Sequence, residues 1–327
     1  MSVHTLSPNS RTDAITEAKV QLAAALRLAT IHELEEGIDN HFTVTVPGRE
    51  DQYLILPFGF HWSEARASDM MIFNERGDTL EGSGVVELSA RCIHAPIHRI
   101  TGARVVLHTH QTWALALNML KDNRVKPATQ TAAFFAGQIA YDDHYEGTAD
   151  FPTEGERLAA LMEGKPIVFL KNHGILVTGE TIAQAYRRLY KLERVCRTQV
   201  LAMSTGQPLE ILSDDVVAKV LAPAPLETHS REERDRLFFE AMMRVCDREL
   251  PGYRDLIGHP PARVRRVELP VRRVEVMRQA FISTPPPSWG SCASSPARRR
   301  GAGRSRYPRP TPRPRPRAPS SRAARPA

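Results

Sequence analysis

No stretch of this 327-residue chain reaches eighteen consecutive apolar residues, so no membrane span is expected. Residues 1–13 are polar and offer no apolar core for a secretory signal, which points to the cytoplasm. Cysteine is scarce. Cys92, Cys196, Cys246 and Cys292 lie far apart and form no C-x-x-C pair. That excludes a disulfide framework or a thiolate zinc site and fits a reducing compartment. No internal repeat stands out, which removes the solenoid architectures.

A net positive balance is also missing from most of the chain. The formal net charge is +7, yet residues 258–327 hold seventeen Arg against two Glu, which leaves the preceding residues at −8. The basic character therefore belongs to one end and says nothing about nucleic acid binding by the body. Residues 288–327 are mostly Arg, Pro, Ser and Ala, with Arg-Pro alternation over 309–317. Such a segment buries too little apolar surface to offset chain entropy and is expected to be disordered. It reads either as a basic arm for nucleic acid or an acidic surface, or as a dispensable extension, the preferred reading. The expected organisation is a flexible N-terminus over 1–12, one domain over 13–257 and the tail over 258–327.

Within that domain the pattern alternates between helical and extended periods. Helices are expected over 13–35 with Asp13 as cap, over 63–69, 89–101, 113–120, 153–163 and 230–248. The clearest spans 180–203, where Thr181 and Gln184 form a capping box. Strands are expected before Val46, over Tyr53–Leu56, over 139–141, and as a hairpin pairing Met70–Phe73 with Thr79-Leu80 around residues 74–78.

The most informative stretch is Val105-Val106-Leu107-His108-Thr109-His110. Its apolar run reads as a buried strand, and period two sends His108 and His110 off one face. Two imidazoles at a strand end can hold one metal ion. A second strand, Ile167–Leu170, runs through Lys171 and Asn172 into His173, with Gly174 allowing a sharp turn. On the 89–101 helix, His94 and His98 stand four residues apart on one face. That is also a metal spacing, but packing under a sheet, or orienting ligands or substrate, is the preferred reading.

These residues occur in an order that resembles the class II aldolase/adducin family across roughly residues 15–225. The likeness rests on Asn40-His41-Phe42-Thr43, Pro57-Phe58-Gly59-Phe60-His61-Trp62, Ile93-His94-Ala95-Pro96-Ile97-His98-Arg99, Val106-Leu107-His108-Thr109-His110 and Lys171-Asn172-His173-Gly174-Ile175. The resemblance implies an α/β fold with a mainly antiparallel central sheet flanked by helices. It implies a homo-tetramer or other homo-oligomer with sites near subunit interfaces. It places the metal ligands on His108, His110 and His173, holding one divalent ion per subunit, Zn2+ first and Fe2+ or Mn2+ as alternatives.

The chain departs from the sugar-phosphate aldolases of that family. Their acid/base carboxylate, four residues before the position of His94, is here Ala90. Phe58 and Leu88 stand in phosphate-binding places, and His41 replaces an Asn, while Thr43 and Ser89 survive. The chain is in this respect more similar to the adducin-type bacterial branch. Asn40, His41, Thr43, His61, Ser89 and His94 are the candidate substrate-binding residues. A metal on three neutral histidines keeps open positions, and an open ion polarises a carbonyl or stabilises an enolate. The leading expectation is therefore a metal-dependent lyase, by retro-aldol cleavage or decarboxylation, on a small non-phosphorylated carbonyl compound. Tyr141 and Glu87 lead the candidates for the missing proton carrier, ahead of Asp143 and His61. A non-haem iron oxygenase and a non-catalytic adducin-like scaffold are the alternatives.

Overall fold

The structure, a computed structural model, describes residues 8–144, 147, 151–222 and 229–257. These all belong to the first of two units, Met1–Arg263, and the Arg/Pro-rich tail expected over 258–327 lies outside them. The first helix, α1 (Pro8–Ile31), begins five residues before the expected Asp13 cap. Proline suits a first helical turn because its fixed φ is already helical and its missing N–H has no partner there. The helix ends before the expected residue 35, where Glu33 adopts a left-handed φ of 56°.

Strands β1 (His41–Val46) and β2 (Arg49–Ile55) form a hairpin. Two 3-10 turns, Trp62–Glu64 and Ala67–Asp69, replace the single helix expected over 63–69. Each has its own cap: Glu64 Oε1 accepts from the His61 amide and Asp69 Oδ2 from the Arg66 amide, so the chain restarts between them. The hairpin expected around 74–78 is present as β3 (Met71–Asn74) and β4 (Thr79–Glu81). Then follow α2 (Leu88–Thr101), β5 (Val105–Thr109), α3 (Thr112–Asn118), α4 (Gln130–Ala133) and β6 (Ile139–Asp142). The chain continues through α5 (Pro152–Met162), β7 (Ile167–Leu170), β8 (Gly174–Gly179), α6 (Ile182–Met203), α7 (Asp214–Leu221) and α8 (Arg231–Glu249). Of these, β8, α4 and α7 are not anticipated from sequence.

The eight strands make one sheet in the order β4-β3-β2-β1-β5-β8-β7-β6. Every pairing is antiparallel except β6 with β7. The expected fold class holds: a mainly antiparallel sheet between two helical layers. One face carries the large core, where Leu22, Leu26 and Leu28 of α1 and Tyr186, Leu189 and Leu192 of α6 meet Phe42, Leu107 and Val177. The other face is covered by α2 and α5, with Ile93, Ile97, Leu158 and Met162 against Val106, Val168 and Leu176.

Strand β1 is buried along its whole length, and period two divides it by chemistry. Phe42, Val44 and Val46 join the large core. His41, Thr43 and Thr45 leave the opposite face, where hydrogen bonds meet them from α2. A polar row on a buried face costs several kcal/mol per unpaired group, so its partners decide whether the strand is tolerated there.

Candidate metal centre

Strands β1 and β5 pair with His41 opposite His108, and β5 pairs with β8 so that Thr109 lies opposite Ile175. This register brings His108, His110 and the β7–β8 turn together. The ligand-capable nitrogens of His108, His110 and His173 all lie within 4.8 Å of one another. Each pair of ring centroids is 4.9 Å apart, and the two Nε2 atoms of His108 and His110 are 3.1 Å apart.

Two of the rings are oriented by what lies behind them. His108 Nδ1 donates to the Ile175 carbonyl at 2.9 Å, and His110 Nδ1 donates to Glu36 Oε2 at 2.6 Å. Each bond places the proton on Nδ1 and leaves the Nε2 lone pair for the cluster, the arrangement that orients metal-ligating imidazoles. Burial first, then the neighbouring imidazoles, holds His108 well below its ordinary pKa. Burial, with His110 beside it, takes His173 to about 4. Neutral imidazole is the form that binds metal.

The backbone around the cluster departs from the sequence reading in one instructive way. The turn expected at Gly174 is made by Asn172, which takes the left-handed φ of 56°. Gly174 is needed for room instead. A Cβ there would sit 2.6 Å from the Thr109 carbonyl oxygen and 2.7 Å from the His110 ring. Three residues missed from sequence brace the cluster. Glu36 holds His110, as above. Asn118, at the end of α3, donates to the Leu170 carbonyl and to the Gly174 carbonyl at 3.2 Å, pinning the turn that carries His173. Buried Glu193 of α6 accepts from the Trp113 and Ala114 amides at 2.8 and 2.9 Å, fixing the start of α3 behind His110.

A second set of histidines lies against the first. The His41 and His108 ring centroids are 5.0 Å apart. His41 Nδ1 meets His94 Nε2 at 2.8 Å, and His94 Nδ1 meets Thr43 Oγ1 at 2.7 Å. Thr43 Oγ1 meets His98 Nε2 at 2.8 Å, and His98 Nδ1 meets the Ala103 carbonyl at 2.6 Å. Toward the surface, His41 Nε2 meets Ser89 Oγ at 2.9 Å, and Ser89 Oγ meets Glu87 Oε2. Both nitrogens of His94 and His98 are thus taken, so neither offers a metal a lone pair. The helical His94/His98 spacing places both rings beneath the sheet, hydrogen-bonded to β1.

The other candidates divide. Glu87 caps α2 by accepting from the Ala90 amide at 2.8 Å, and lies 3.6 Å from His41 Nε2. Burial raises its pKa, but bonds from the Ser89 hydroxyl and the Ala90 amide outweigh that and hold it below the ordinary carboxyl value. Asn40 Oδ1 accepts from the Glu36 amide at 2.8 Å, holding the loop that presents Glu36. His61 stands outside the cluster, where its Nδ1 meets Ser63 Oγ at 2.8 Å and caps a 3-10 turn. Tyr141 is not brought to the cluster within the described chain. It lies on edge strand β6 against the large core, on the sheet face away from α2, and its hydroxyl accepts from the Val125 amide at 3.0 Å. Burial pushes that hydroxyl up to about 12. Asp143 is engaged elsewhere, paired with Arg124 at 2.5 Å.

The family model described as the class II aldolase and adducin N-terminal domain matches residues 20–200. A putative aldolase class 2 protein of Caulobacter vibrioides is 32% identical over 248 residues, covering 73% of this chain and 92% of that one. The decarboxylase NovR of Streptomyces niveus is 31% identical over 197 residues, covering 59% of this chain and 72% of that one. Among solved structures, an aldolase II superfamily protein from Pseudomonas syringae superposes with a TM-score of 0.68 at 31% identity. It covers 76% of this chain and 98% of that one.

Proposed function

The chain belongs to the class II aldolase and adducin family, and from that premise we propose that it is a metal-dependent lyase acting on a small, non-phosphorylated carbonyl compound. The observation that carries this reading is the convergence of three imidazoles, two of them held with Nε2 inward by acceptors behind Nδ1. His108, His110 and His173 would hold one divalent ion, Zn2+ first, with Fe2+ or Mn2+ as alternatives. Such an ion, when bound, supplies polarisation of a substrate carbonyl through the positions that three protein ligands leave open.

The chain's own residues favour retro-aldol cleavage or decarboxylation over sugar-phosphate chemistry. Ala90 is fully buried with Tyr53, Phe73 and Ala95, so a carboxylate at that position would have to enter an apolar cluster. The nearest carboxyl on this part of α2 is Glu87, partly exposed and joined to His41 through Ser89. Glu87 is our candidate for holding and moving the proton, in preference to Tyr141. Phe58, Val85 and Leu88 are exposed, and the Phe58 amide donates to the Val85 carbonyl, which joins their two loops. Apolar side chains at positions 58 and 88 offer a phosphate dianion no donors. The match to a protein named as a decarboxylase supports carbon–carbon bond cleavage as the reaction type.

The test is a panel of hydroxy- and keto-carbonyl compounds with metal-loaded protein, scoring released aldehyde or CO2. Turnover that is lost in His110→Ala and in Glu87→Gln is the expected result. Release of dihydroxyacetone phosphate from a sugar phosphate at roughly 1 per second or faster, an ordinary enzymatic rate, would return the chain to sugar-phosphate aldolases.

A further inference from the structure

Residues 1–257 carry a net charge of −8, yet positive charge gathers at one place away from the metal centre. Arg187, Arg188 and Lys191 on α6 and Arg231 and Arg234 on α8 line a cavity of about 120 Å³. Spacings of three and four residues put each set on one face of its helix. Among the described residues in this wall, Asp235 is the single carboxylate, and it accepts from Arg187 Nη1 at 2.5 Å. Glu233, on the first turn of α8, is turned instead to His229 and Arg236. Five cations thus face one anion. An ordinary basic helix face keeps its charged heads in water, where such crowding costs little. Here the heads are held. The Arg187 side chain is only 20% exposed, and its Nε is buried without a hydrogen-bond partner. Arg188 donates from Nη1 to the Thr178 carbonyl, and Lys191 Nζ stands 5.8 Å over the Phe134 ring. Burial, then Arg187 and Arg234, lowers the pKa of Lys191, and burial with Arg231 lowers that of Arg188, while Asp235 offsets part of each.

We propose that this cavity binds a phosphate-type oxyanion, free or as the end group of a small organic phosphate, at a site separate from the metal centre. Guanidinium forks match the oxygen spacing of phosphate, and the lysine adds a point charge. A bound dianion relieves the repulsion among the five cations and gives the buried Arg187 Nε–H an acceptor. The volume selects the ligand's size. At roughly 30 Å³ per water, the cavity holds about four waters, the room for one tetrahedral group of four oxygens rather than a stretch of acidic peptide. Phe134 and Phe135 complete the wall and offer an apolar surface to the rest of an organic phosphate. The site is also distant from the histidines. The Thr178 carbonyl that holds Arg188 lies four residues along β8 from Gly174, about 13 Å at the ordinary strand rise. Nothing in this site depends on the lyase reading.

The experiment is a calorimetric titration of the full-length protein with inorganic phosphate at neutral pH, with ionic strength held constant by sodium chloride. Saturable binding is expected. Lys191→Gln and Arg231→Gln should each weaken it about tenfold, the loss of one charge-assisted hydrogen bond. Arg236→Gln removes the same charge from an exposed position of the same helix and should leave the affinity unchanged. His110→Ala should bind phosphate as wild type does, which separates this site from a phosphate held on the metal. A parallel titration with phenyl phosphate distinguishes the two sources. Binding tenfold tighter than inorganic phosphate assigns an organic phosphate resting on the phenylalanines, and equal binding assigns the free ion. Absence of saturable binding would overturn the proposal. So would equal weakening by Arg236→Gln, which is a general charge effect, or unchanged binding in both Lys191→Gln and Arg231→Gln, which places the phosphate on the Arg-rich tail. Failure of lyase turnover with phosphate binding intact would sink the proposed function and leave this site standing.

Discussion

His41 and His108 face each other across one register of the β1–β5 pair, yet they belong to two groups that use the same ring in opposite ways. In His108 and His110, Nδ1 is tied to an acceptor outside the group, which frees Nε2 to converge with His173. In His94 and His98, both nitrogens are consumed along the row by His41, Thr43 and Ala103. A histidine is therefore available to a metal when its second nitrogen has an acceptor to hold it and its first has none. Exposure does not follow the same division: His108 is as fully buried as His94, whereas His110 is only partly covered.

The sharpest way to break this contrast is to remove a member of the row. His94→Ala takes from His41 Nδ1 its partner and from the Thr43 hydroxyl one of its two, and opens a cavity beneath the sheet. A stability loss of about 3 kcal/mol is expected from those two effects together. Denaturant unfolding measures it, and metal content should stay at the wild-type level. Loss of metal with unchanged stability would merge the two groups.

A smaller effect is expected from the support behind a ligand. Glu36→Ala removes the acceptor of His110 Nδ1 and should weaken metal affinity ~10–100-fold, the usual cost of losing such a partner. Competition with a chelating dye reads this directly, while the unfolding midpoint of the metal-free protein should barely move.

Much of this contrast can be read from the sequence, and its limits are physical. His108-x-His110 is legible because strand period two places both rings on one side. His173 is legible because an apolar run leads straight into it. The orienting residues are not, because they act across long separations: Glu36 reaches His110, and Asn118 reaches the turn before His173. The His94/His98 pair is visible as a spacing, but its meaning lies in Thr43 on another strand, and no local pattern pairs them. Gly174 was assigned a turn because glycine permits one, whereas the tight contact with Thr109 and His110 is a tertiary fact. Tyr141 is a candidate by its phenol alone, and the sheet face that it takes on edge strand β6 is a tertiary fact. The sheet and most helices were legible through their periods. β8 escaped because its six residues Gly174–Gly179 follow the β7 turn with no break of their own.

A pH dependence of stability carried by the row is also expected. Burial takes the folded pKa of His98 to about 4, below the ordinary 6.5 of the unfolded chain. The unfolded state thus binds the proton more readily. The associated stability is fully present above pH 6.5 and is lost as pH falls toward about 4. Near pH 5 the slope should approach about 1.4 kcal/mol per pH unit for this group. Unfolding of wild type and His98→Gln at a series of pH values tests it, the variant being expected to show the shallower slope. Equal slopes would mean that His98 is not buried as a neutral ring.

The most direct measurement is the metal content of single alanine variants from both groups, purified in parallel and analysed by elemental mass spectrometry. His108→Ala, His110→Ala and His173→Ala should each lose most of the bound divalent ion while remaining folded. His94→Ala and His98→Ala should keep it. Stoichiometric metal in all three of the first set would contradict the assignment of this cluster as the metal centre.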